Sequence, residues 1–210
     1  DRSLRDHVNC VNDPKQAVIG GDPSKGTVSP WRMLSTTITD ELKLSTQKRA
    51  KVIAVSMKDR GAVLPGGHMA DGAYWYDDKS GGLVSSTYYF KEKLPEWVQK
   101  FNQQKLADKY LSQVWSTSYP IKDYTESGPD DTPYEIRIRG MQRPTFPYDL
   151  KELRKTNGDL SLLWFTPYGN DLVSEFAKTA IGAEGLGADE VTDFLCISFS
   201  ATDALGHTVG

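Results

Sequence analysis

Residues 51–60, KVIAVSMKDR, decide the architecture. After Lys51 the run Val52–Met57 is short, β-branched and almost continuously apolar. A run of that length without polar alternation reads as a strand covered on both faces, the kind found in parallel sheets coated by helices. A second strand, TDFLCISFS (192–200), follows far downstream, and each is preceded by a segment with helical spacing. In SPWRMLSTTITDELKL (29–44), Ser29 is placed to cap, Pro30 fits the first helical position, and Leu34, Ile38 and Leu42 recur every four residues. In TPYGNDLVSEFAKTAIG (166–182), Leu172, Phe176 and Ala180 form one stripe beside Val173, Ala177 and Ile181, with Gly182 as the expected stop. Two helix-then-strand units predict an α/β fold built on a parallel sheet.

Between these units the texture changes. Residues 80–165 are rich in Tyr and Trp, with loop-forming stretches at TESGPDDTPYE (125–135) and QRPTFPYD (142–149) and a helix opened by Pro95 that carries Trp97, Val98 and Phe101. The expected organisation is therefore a core made of residues 1–79 and 166–210, with 80–165 as an inserted cap. Its aromatic residues either line a cleft or form the cap's own core.

Composition narrows the function classes. The 210 residues carry 25 Lys and Arg against 28 Asp and Glu, a net charge of −3. The pI is near 5.7 and the mean hydropathy −0.50. That balance argues against a nucleic-acid or anionic-membrane binder. The longest dense apolar run, LSLLWF (160–165), falls far short of the ~20 residues a spanning helix needs. The chain opens on DRSLRDHVNC, polar and charged, which reads as an internal start without a secretory leader. Of the two cysteines, Cys10 sits in a polar segment, and Cys196 reads as a small core residue.

In open α/β sheets, ligands bind beyond the carboxyl ends of the strands. The first strand runs into KDRGAVLPGGH (58–68) and the second into the loop ATDALGH (201–207). If both strands share one parallel sheet, Lys58, Asp59 and Arg60 emerge on the same edge as Asp203 and His207. Lys and Arg suit the oxygens of an anionic substrate. An acid and a histidine suit zinc, which polarises phosphoryl oxygens and lowers the pKa of bound water. His68, in a Gly-rich loop, reads as a local hydrogen-bonding residue, and His7 as surface.

The runs 34–77, 166–181 and 189–210, with STYYFKEKLPEWVQKFN (86–102) and PTFPYD (144–149), resemble the alkaline phosphatase superfamily. The resemblance is strongest to its single-chain periplasmic bacterial phosphatases of the PafA type, relatives of the nucleotide pyrophosphatase/phosphodiesterases. It implies an α/β sandwich in which two zinc ions flank a Thr or Ser nucleophile. It places phosphoryl contacts on Lys58 and Arg60, a pair associated with monoester preference, and the ligands of one zinc on Asp203 and His207. The family's nucleophile and its remaining ligands find no counterpart in these residues, so the core is expected to be incomplete and the chain alone inactive. The implied substrate is a small-molecule phosphate ester, and the implied location is periplasmic or secreted. A nucleotide phosphodiesterase and a non-catalytic binding or structural module stand as alternatives.

Overall fold

All five residues of Val52–Ser56 are buried, as the apolar run predicts, and the rest of the molecule is arranged around them. The structure, a computed structural model, describes residues 8–23 and 27–209; His7 lies outside them. The chain order is β1 (Val18–Ile19), α1 (Ile38–Ser45), β2 (Val52–Ser56), α2 (Asp59–Gly66), β3 (Gly72–Asp77) and β4 (Gly82–Ser86). There follow α3 (Glu96–Gln103), α4 (Leu106–Tyr110), β5 (Val114–Trp115), β6 (Tyr148–Asp149) and α5 (Leu150–Leu153). A 3₁₀ turn at Asp159–Phe165 leads to α6 (Tyr168–Glu184), β7 (Phe194–Ser198) and α7 (Ala201–Val209).

The main sheet has the order β1-β4-β3-β2-β7. β2 runs parallel to both β3 and β7, and in register Ser56 lies beside Ser198, so the two strands of the sequence reading share one sheet and end at the same edge. β4 and β1 continue the sheet antiparallel. The segment 80–165 thus supplies β4 to the main sheet, and its Leu94, Val98, Phe101, Leu111 and Leu150 join the larger apolar core formed with β2, β3 and α6. There Tyr74 stacks on Phe90 and meets Trp97 and Phe176 at ring-centroid distances of 5.1–5.7 Å. Opposite, α2 buries Ala62 and Val63 against Ala54, Ala73 and Trp75, with Val11 and Val28 closing the smaller core. Burying each large apolar side chain contributes roughly 1.5–3 kcal/mol, which makes the two faces of β2 and β3 the stabilising centre.

Several expectations need correction. The helix expected from Ser29 begins at Ile38. The Ser29 hydroxyl donates to the buried Asp13 carboxylate at 2.5 Å and accepts the Trp31 amide at 3.2 Å in a turn, whereas Thr37 and Asp40 form a reciprocal capping box. Leu34 is fully exposed and Ile38 73% exposed, so the expected stripe is not buried among the described residues. α1 is fixed by its polar side instead: Thr39 donates to the Gly66 carbonyl at 2.9 Å, and Lys43 pairs with Asp71 at 2.8 Å. α6 passes through Gly182 and ends at Gly185, whose φ is +63°. β7 is an edge strand, and Ile197 is 41% exposed. Cys196 is accordingly half-buried, not a core residue, and partial burial pushes its thiol up to about 11. The helix opened by Pro95 forms as expected, with Val98 and Phe101 buried.

Candidate functional site

At the carboxyl end of β2 the chain passes through Met57 and turns directly into α2, with Lys58 as the residue before its first turn. The segment that follows the strand is therefore helical from Asp59 to Gly66, Pro65 included. The approach is close: a Cβ on Gly61 would lie 2.5 Å from the Ser56 hydroxyl and 3.0 Å from that of Ser198, so only glycine lets α2 start over the seam between β2 and β7. Below it, the Ser56 hydroxyl accepts the Lys58 amide at 3.1 Å and lies 3.3 Å from the Ser200 hydroxyl.

The end of β7 repeats the turn. ATDALGH, read as a loop, is the body of α7, and Ser200 accepts the Ala204 amide at 3.0 Å. Helical spacing puts Asp203 and His207 on one face, with the His207 Nε2 3.4 Å from the Asp203 Oδ1. The other carboxylate oxygen, Oδ2, accepts a hydrogen bond from the Lys58 ammonium across the seam. The sequence-predicted residues thus meet: Lys58, Asp203 and His207 form one chain of contacts, and Arg60 adds its positive charge from the exposed first turn of α2. The hydrogen bond and charge of Lys58 hold the Asp203 carboxyl below its ordinary value, with smaller contributions from His207 and Arg60. On the β3 side of Lys58 and Arg60 lies a cavity of about 230 Å³, walled by Trp75, Tyr76, Val84 and Trp164. His68 stands apart, 3.3 Å from the Ser35 carbonyl, as a local contact.

Asn170, in the first turn of α6, was not singled out by its sequence context. Its Oδ1 accepts the Ala201 amide at 3.1 Å and its Nδ2 donates to the Thr202 hydroxyl at 3.4 Å.

The donors fit zinc in kind. Two ligands each about 2.1 Å from a tetrahedral ion stand about 3.4 Å apart, the spacing found between Asp203 Oδ1 and His207 Nε2. A catalytic zinc takes three protein ligands, and among the described residues no group of three or more His, Cys, Asp or Glu gathers.

No protein-family model matches the chain. Alkaline phosphatase PhoV of Synechococcus elongatus is 48% identical over 210 residues, all of this chain and 38% of that protein. A protein of Myroides odoratus named calcium-transporting ATPase is 48% identical over 203 residues, 96% of this chain and 37% of that protein. The crystal structure of alkaline phosphatase PafA superposes with a TM-score of 0.89 at 40% identity, covering 96% of this chain and 38% of PafA. The chain therefore spans well under half the length of the proteins it matches. Over that span its sequence agrees with theirs and its sheet and helices with those of PafA, and the chain belongs to the alkaline phosphatase superfamily, among the relatives of PhoV and PafA.

Proposed function

We propose that these residues are one part of the active site of a zinc-dependent phosphatase that hydrolyses small-molecule phosphate monoesters. The observation that carries the reading is the meeting of Lys58 with Asp203, at the carboxyl ends of two adjacent parallel strands, with Arg60 and His207 beside them. Lys58 and Arg60 would bind the non-bridging oxygens of the phosphoryl group, orient it and neutralise the charge that spreads over it during transfer. Asp203 and His207 would hold zinc through Oδ1 and Nε2. When bound, zinc supplies Lewis-acid stabilisation of an oxyanion and a water of lowered pKa. Asp203 has a second task, since its Oδ2 restrains the Lys58 ammonium where the phosphoryl oxygens would arrive. The nucleophile, a Thr or Ser hydroxyl by resemblance, would come from outside these residues and form a phospho-enzyme that water then hydrolyses.

Residues 80–165 would be the inserted segment, with its first strand, β4, joined to the main sheet. The protein would act in the periplasm or outside the cell. Among the described residues no helix is long and apolar enough to cross a membrane. The 210 residues alone would turn over no substrate.

The test is kinetic, on the full-length protein. Lys58→Ala and Arg60→Ala should each lower kcat/KM for p-nitrophenyl phosphate by about 10²-fold or more, and that for bis-p-nitrophenyl phosphate much less. Equal losses on both esters would favour a phosphodiesterase, no loss on either would refute the roles given to Lys58 and Arg60, and no turnover by the parent would favour a non-catalytic module. Zinc-dependent turnover by the 210 residues alone would refute the claim that the site is partial.

A further inference from the structure

We infer that Asn170 is a positioning residue for the site: its side-chain amide fixes the first turn of α7 and so sets Asp203 and His207 against Lys58. The zinc-binding part of the inference rests on the function proposed above; the anchoring of α7 does not. α7 has nine residues, too few to be stable as an isolated helix, so its placement depends on its packing against residues 159–165 and α6 and on what holds its start. The first amides of a helix have no intrahelical acceptor. The Ala201 amide finds its partner in Asn170 Oδ1 on a different helix, while Asn170 Nδ2 engages the Thr202 hydroxyl. With both ends of the amide in use, its orientation is set, and α7 is held at two successive residues.

The anchor is itself rigid. The Asn170 amide donates to the Pro167 carbonyl at 2.9 Å, and α6 buries Leu172, Val173, Phe176, Ala177 and Ala180 in the larger core. Gly169, one residue earlier, lets the two helices touch. A Cβ there would lie 2.9 Å from the Leu163 carbonyl oxygen, 3.2 Å from the Ala201 Cβ and 3.3 Å from the Met57 Cε. Asp203 is two residues beyond Ala201, and its side chain is 53% exposed. Its carboxylate meets Lys58 and His207, and where it stands to meet them follows from the turn it belongs to. An amide acting on a ligand through the backbone in this way resembles the outer-shell partners of metal ligands, whose loss typically lowers metal affinity 10–100-fold.

Two variants of the 210-residue chain separate positioning from plain stabilisation. Asn170→Ala removes both contacts, whereas Asn170→Asp keeps the acceptor for the Ala201 amide. Three quantities are measured on each: amide hydrogen exchange at residues 201–203, zinc affinity by calorimetry, and the denaturant midpoint. Asn170→Ala should accelerate exchange at Ala201 at least tenfold and weaken zinc binding about tenfold, with little change in midpoint. Asn170→Asp should recover most of both losses. Unchanged exchange in Asn170→Ala overturns the inference, as does a loss of affinity that only tracks global unfolding or that Asn170→Asp fails to recover. Asp203→Asn is the control for the metal reading. If it binds zinc as tightly as the parent, the zinc assignment falls, and exchange at Ala201 alone decides whether Asn170 holds α7.

Discussion

β2 and β7 are neighbours in one sheet and look alike as sequences, yet they live in different surroundings. VIAVS lies between two parallel partners with every residue buried. FLCIS has one partner among the described residues, is only partly covered, and leaves Ile197 41% exposed, with Phe199 just beyond it 54% exposed. The difference sits at the site itself. Lys58 extends from a strand end clamped on both sides, while Asp203 extends from an edge whose position relies on Ser200, Asn170 and the bond to Lys58. One half of the candidate site is held by a core and the other by a few polar contacts.

The sharpest way to break that contrast is truncation in the two strands. Ile53→Ala, at a position 1% exposed, should destabilise the chain by about 2–5 kcal/mol. Ile197→Ala should cost only about 0.5–1 kcal/mol, since much of its surface already meets solvent. Chemical denaturation of both variants measures the gap, and equal losses would mean that β7 is as well covered as β2. Next in size is the seam. Gly61→Ala forces a methyl against the Ser56 and Ser198 hydroxyls and should cost about 1–3 kcal/mol, read from the same denaturation curves.

The smallest expected effect is on the finished side of the sheet. Asp13 is 3% exposed and accepts from the Ser29 hydroxyl at 2.5 Å and the Lys15 amide at 3.0 Å. Burial raises its carboxyl, but these bonds, with Gln16 and the charge of Lys15, outweigh that and hold it below the ordinary value. A depressed carboxylate stabilises the fold above its unfolded pKa and loses that contribution as pH falls through the folded value. The parent should therefore lose about 1 kcal/mol more than Asp13→Asn as pH drops below about 4, read from urea midpoints between pH 3 and 6. Parallel pH profiles would show that Asp13 contributes nothing of the kind.

Much of this was legible in the sequence because it depends on local pattern. The apolar runs at 52–57 and 192–200 become the strands expected, in one parallel sheet, and the polar groups after them meet on one edge. What escaped depends on partners distant in sequence. Ser29 looks like a helix cap but closes only a turn, accepting the Trp31 amide while donating to Asp13, sixteen positions earlier. KDRGAVLPGG and ATDALGHTV carry Gly, Pro or β-branched residues and do not read as helices. They are helical because a strand end launches each of them and neighbours such as Asn170 accept their first turns. GLVSS is too small and polar to announce a sheet strand, yet it completes the antiparallel side beside β3. Composition tells how apolar a strand is, not how many strands it will touch, which is why β7 reads like β2.

The free side of β7 has a further consequence, for handling the molecule rather than for its chemistry. Among the described residues no strand pairs with the outer side of β7, and an open strand edge of this kind is a template that another extended chain can join. Concentrated solutions of this 210-residue chain should self-associate through that edge, and a lysine in place of Ile197 would act as a gatekeeper that keeps it monomeric.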